Sequence, residues 1–199
     1  DGVVVKAENS TVVIDNVDVN NATGTGIDVT GKDVEITNSN VTNTGTGIHA
    51  EATNGTATIE NTNVDNVTDG TGINATGNSV TIKDSEVSNV NGTGIVADAT
   101  NGTATVDNAT VTGTEGGAMN VTSKDVEITN SNLTNTGEGI HAEATNGTAT
   151  IDNTNVENIN NGTGINATGN TVDIKDTTVS DVNGTGIAAD ATNGTATIG

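Results

Sequence analysis

The sequence predicts an all-β solenoid of parallel strands, and three observations predict it. The segment from Lys32 to Asn40 returns residue for residue as Lys124 to Asn132, an offset of 124 − 32 = 92. A small residue, glycine at every place but Ala118, followed by a large apolar one recurs at Ile27, Ile48, Ile73, Ile95, Met119, Ile140, Ile165 and Ile187, so the 92-residue period divides into four units of about 92/4 = 23 residues. Within each unit the aliphatic residues fall in three short alternating runs. A unit this small cannot bury its apolar face alone, and stacking neighbours is what buries it.

Each element of the unit follows from composition. From Ile48, the first strand carries Ile48 and Ala50, the second Ala57 and Ile59, and the third Val64 and Val67, with Thr, Asn, Asp, Glu or Gly between them. Alternation at period two puts one apolar face on each strand. Residues 51–56, the Asn61 corner and residues 68–71 are rich in Gly, Asn and Asp, as turns require. Stacked coils align like residues in columns at about 4.8 Å. Parallel connections are right-handed by strong preference, so the expected fold is a right-handed parallel β-helix of about eight coils, three parallel sheets and about 23 residues per coil. It forms one domain, 1–199, with the four-coil block 27–118 repeated as 119–199. A leucine-rich repeat has a similar period, but Leu133 is the chain's one leucine.

A polar column accompanies the apolar ones. Asn16, Asn38, Asn61, Asp84, Asn108, Asn130, Asn153 and Asp176 each stand two residues after the last aliphatic residue of the second strand. On this column the chain resembles the pectate-lyase-like right-handed parallel β-helix superfamily, in which a tight corner carries a stacked asparagine ladder. Asparagine tolerates the left-handed backbone of a sharp corner, and its amide can bond those above and below. The column is therefore expected to be structural, its amides buried in the corner.

Composition bounds the partners. Five lysines and no arginine oppose 26 acidic residues, for a net charge of −21, and aromatic residues, Cys and Pro are absent. Nucleic acid calls for basic patches and stacking faces, so no nucleic-acid partner is expected. No apolar run reaches membrane-span length, so no membrane insertion is expected either. Many asparagines stand in Asn-x-Ser/Thr sequons, among them Asn9, Asn21, Asn54, Asn91, Asn101, Asn146 and Asn193. In a secreted chain these are acceptors for N-linked glycans, and the acidic, Thr- and Asn-rich composition suits an extracellular, cell-surface protein.

The resemblance to polysaccharide lyases and hydrolases implies a test for catalysis. The lyases use an arginine base, which this chain lacks, and the Asn-Thr-Asp, Asp-Asp, Gly-His-Gly and Arg-x-Lys strings of the pectin hydrolases are absent. Fold does not carry function with it; no enzyme activity, catalytic residue, cofactor or metal is expected. His49 and His141 occupy equivalent places four coils, or about 19 Å, apart, too far to share one ligand. Glu51 and Glu143 lie two residues on, which permits a weak metal contact, but an exposed polar position copied with its block is the simpler account. The outward threonines of the second strand, such as Thr56 with Thr58 and Thr103 with Thr105, resemble the ice-binding face of β-solenoid antifreeze proteins, although Asp33, Glu35, Asp125, Glu127 and Asp173 interrupt it. Threonine's fit to a half-exposed strand explains the same pattern.

The ends complete the reading. Aligned on the 92-residue period, Ile187 falls on Val3, Ala189 on Val5, Ala196 on Val12 and Ile198 on Ile14. Neither end carries a recognisable cap, and uncapped coils expose strand edges and an apolar cross-section. The expected function is a non-enzymatic structural subunit that stacks head-to-tail with itself into an extracellular filament, or a section of a surface stalk. The alternatives are an adhesin or ice-binding rod using the threonine face, and a designed solenoid without biological function.

Overall fold

A computed structural model describes residues 1–199 as a stack of coils with strands joined in one network, every pairing parallel. The first-strand column runs Val3, Ile27, Ile48, Ile73, Ile95, Met119, Ile140, Ile165 and Ile187. The second runs Val12, Val34, Ala57, Val80, Ala104, Val126, Ala149, Val172 and Ala196. That makes about nine turns rather than eight, because Val3 opens a coil in which valine replaces the isoleucine that marks the others. The third column, Val19, Val41, Val64, Val87, Val111, Leu133, Val156 and Val179, has one member fewer.

The alternation expected of each strand holds in space. Ile59, Ile82, Ile151 and Ile174 are buried, and Thr56 and Thr58 on the opposite face of their strand are half-exposed. All 45 buried hydrophobic residues form one continuous cluster. Aliphatic side chains stacked in columns, mostly isoleucine in the first and valine alternating with alanine in the second, fill the interior without aromatic rings.

Two features of the coil differ from plain alternation. The third strand is not a simple period-two run: in Asn63–Val67 both Val64 and Val67 are buried, and Asn66 between them has φ of 56°. One left-handed residue turns the chain so that residues three apart face inward. The corner between the first and second strands also alternates in length from coil to coil. In one coil the chain passes from Gly31 to Asp33 through Lys32 alone, and in the next Thr53, Asn54 and Gly55 project between Ala52 and Thr56, held by Thr53 donating from its amide and hydroxyl to the Gly31 carbonyl at 2.8 and 3.1 Å. The same contrast separates Asn78 from residues 100–102, and Asn170 from residues 192–194.

Candidate functional site

All eight members of the corner column have left-handed backbone, with φ from 47° at Asp176 to 55° at Asn16. L-residues pay for that conformation, and Asn and Asp pay least. The side chains are exposed, not buried as the sequence suggested. A sharp corner throws Cβ outward, and the buried position falls to the next residue. Asn61 Nδ2 donates to Asn38 Oδ1 at 2.7 Å, Asn108 to Asp84 at 2.6 Å and Asn153 to Asn130 at 2.8 Å. Asn38 and Asn130 instead donate to the carboxylates of Asp15 and Asp107, which also accept from Thr37 and Thr129. These donated bonds hold both carboxylates below their ordinary pKa of 3.8, with the Lys83 charge adding to the effect at Asp107.

Two further ladders escaped the sequence reading. Asn21, Asn43, Asn66, Asn89, Asn135, Asn158 and Asp181 form a second left-handed column, with Asn66 donating to Asn43 at 2.6 Å and Asn43 to Asn20 at 2.9 Å. Behind the first corner runs a buried hydroxyl column. Ser39 donates to the Thr37 carbonyl and accepts from Val17 N–H, Ser85 bonds Lys83 and Thr62, and Ser131 bonds Thr129 and Ala109 in the same way. Each hydroxyl closes its own corner and ties it to the coil before. The available signal was a Ser, Thr or Ala after every corner residue but Asn16, which Val17 follows.

The outer surface offers shallow features. A cleft of about 360 Å³ surrounds His141, lined by Asn120, Glu138, Thr163 and Asn166 over a floor of Met119 and Ile140. Asn166 Nδ2 lies 3.2 Å from His141 Nδ1, and His141 Nε2 lies 3.9 Å from Glu143. The structure does not bring His49 and His141 together: they share one column with Asn74, Val96 and Asn120 between them. A second groove, about 400 Å³, follows the asparagine corner through Asn38, Asn61, Asp84 and Asn108. The outward threonines form a patch three coils tall, Thr56, Ser79 and Thr103 beside Thr58, Thr81 and Thr105, which ends at Asp33 with Glu35 and at Asp125 with Glu127.

The seven singled-out sequon asparagines are all exposed. Five of them, Asn9, Asn54, Asn101, Asn146 and Asn193, sit in the long turns, so they line one edge of the rod at every second coil, about 9.6 Å apart at two coil rises. Asn21 and Asn91 lie at the corner between the third strand and the next first strand.

At the N-terminal end Val3 and Val5 are half-buried, Val12 and Ile14 are buried, and Val4 and Val13 are 51% and 56% exposed. At the other end Ile187 and Ala189 are half-buried, Ala196 is exposed, and Ile198 is 58% exposed. These two sets occupy the same columns. The last coil holds first- and second-sheet strands only, so the cross-sections match in two sheets of three.

Comparison with curated proteins and with solved structures returns no match. The family described as the right-handed β-helix region matches residues 1–127, well over half of the sequence, and the remaining coils repeat the same columns. The chain thus belongs to the right-handed β-helix family.

Proposed function

We propose that this β-helix is a non-enzymatic structural rod of the extracellular surface, stacking end to end with its own copies into a filament or forming part of a stalk. The observation that carries the reading is column continuity: Val3, Val5, Val12 and Ile14 at one end lie in the columns that reach Ile187, Ala189, Ala196 and Ile198 at the other. A copy placed on the last coil therefore meets like residues in two sheets, with parallel strand edges free to pair. Such a contact is heterologous and repeats without closing. The third sheets stay one strand apart at the junction, which makes it weaker than a coil-to-coil contact within the chain.

Surface chemistry supports the same reading. A charge of −21 disfavours side-by-side association, and the line of exposed sequons along one edge suits a glycan coat on a secreted chain. Sedimentation velocity of the 199-residue chain across protein and salt concentration tests the proposal. Added salt screens repulsion between subunits, so larger species should grow with salt. The double substitution Val3→Lys with Val5→Lys, which sets charge into the end columns, should abolish them. A wild-type chain that stays monomeric throughout removes the filament reading.

A further inference from the structure

We propose that Asn54 and Asn146 are sites of spontaneous deamidation, and that the fold shields Asn101 from the same reaction. The three sit in the same five-residue sequence, Ala-Thr-Asn-Gly-Thr, at residues 52–56, 144–148 and 99–103. Any difference in their reactivity must therefore come from the structure and not from the local sequence.

The glycine that makes each asparagine reactive is one the fold cannot replace. A Cβ on Gly55 would lie 1.9 Å from Asp33 Oδ1, and one on Gly147 would lie 1.9 Å from Asp125 Oδ1. Those carboxylates accept the amides of Thr56 and Thr148 at 3.0 Å and pin the turns. A following glycine leaves the peptide nitrogen open to approach by the side chain. In the reaction the Gly55 amide nitrogen loses its proton to solvent and attacks Asn54 Cγ. The new C–N bond closes a five-membered imide as the Cγ–Nδ2 bond breaks and ammonia leaves. Water then adds to either imide carbonyl and opens the ring to aspartate or isoaspartate.

Two features separate the sites, since all three asparagines are exposed. Neither the Asn54 nor the Asn146 side chain makes a hydrogen bond, and the amides of Gly55 and Gly147 have no acceptor. At Asn101 the nucleophile is engaged, because Gly102 N–H donates to the Asn78 carbonyl at 2.7 Å. The electrophile is held as well: Asn101 Nδ2 donates to Asn78 Oδ1 at 3.3 Å. The cause is the coil beneath. Under Asn54 and Asn146 stand Lys32 with Asp33 and Lys124 with Asp125, whereas under Asn101 stands Asn78 with Ser79. Each conversion adds one negative charge close to Asp33 or Asp125, on the edge that carries the sequons, and destroys the sequon itself.

The experiment is to age the folded 199-residue chain at mildly alkaline pH and to quantify aspartate and isoaspartate by peptide mapping, with a parallel sample in denaturant. Asn54 and Asn146 should convert severalfold faster than Asn101 in the folded chain, and the three should converge when unfolded. Equal folded rates, or a faster Asn101, would overturn the proposal. Asn78→Ala, checked for folding by circular dichroism, should raise the Asn101 rate, and an unchanged rate would refute the part assigned to the Asn78 side chain. The wild-type comparison carries the test if that variant does not fold.

Discussion

Asp84 and Asp176 stand in a column of asparagines as the two members with no amide to donate. Each ladder bond runs from an Nδ2 to the coil before. Asn61 Oδ1 therefore meets a carboxylate one coil on where an N–H belongs, and Asn153 meets Asp176 in the same way. Asp84→Asn supplies the missing donor and keeps an acceptor for Asn108. It should stabilise the chain by about 0.5–1.5 kcal/mol, the worth of one net hydrogen bond, read as a higher denaturant midpoint. Asn61→Ala should act oppositely, losing the bond to Asn38 Oδ1 and putting alanine, which lacks the polar side chain that eases left-handed backbone, where that conformation costs up to about 1–2 kcal/mol. The acid limb of stability belongs to Asp15 and Asp107. Their folded pKa values lie below the ordinary 3.8 because threonine and asparagine donate to the ionised form. A depressed carboxylate contributes stability that is present above its unfolded pKa and is lost as pH falls through the folded value. Stability should therefore decline below about pH 4, and Asp107→Asn should flatten that decline in acid titrations followed by circular dichroism.

Within a coil, the sequence made the first two strands legible because alternation there is strict, as in Ala57 and Ile59 between Thr56, Thr58 and Glu60. The third strand was only half legible. Val64 and Val67 are three apart, and the residue that reconciles that spacing with a strand, Asn66, reads in sequence as one polar residue among many. Its left-handed backbone shows only in the fold. The buried hydroxyl column was hidden for a related reason: Ser85 and Ser131 look like turn residues until the corner asparagine is seen to point outward. Ser131→Ala should leave the buried Ala109 N–H without its acceptor and cost about 1–3 kcal/mol. The same substitution at half-buried Ser180, which makes no side-chain hydrogen bond across coils, should cost much less in the same denaturant series. In the apolar column, Ile82→Ala should cost about 2–5 kcal/mol, because Ile59 and Val106 on either side cannot close the gap without breaking their own strand pairing.

At the scale of the whole molecule, the repeat dictated the architecture, and the count of turns was missed by one because the first coil opens on valine. The lengths of the corners were present in the sequence as unequal steps of 21, 25, 22 and 24 residues, yet their consequence, five sequon asparagines on one edge, needed the stack to be built. The proposed stacking rests on the two columns, Val3 to Ile187 and Val12 to Ala196, that run through every coil. Axial stacking of like coils is tested by electron cryo-microscopy of the 199-residue chain at raised salt. Filaments one rod wide are expected, with the layer spacing of about 4.8 Å along the axis and a subunit repeat of about nine such layers. Isolated monomers at every concentration, or sheets joined along the sides of the rods, would contradict it.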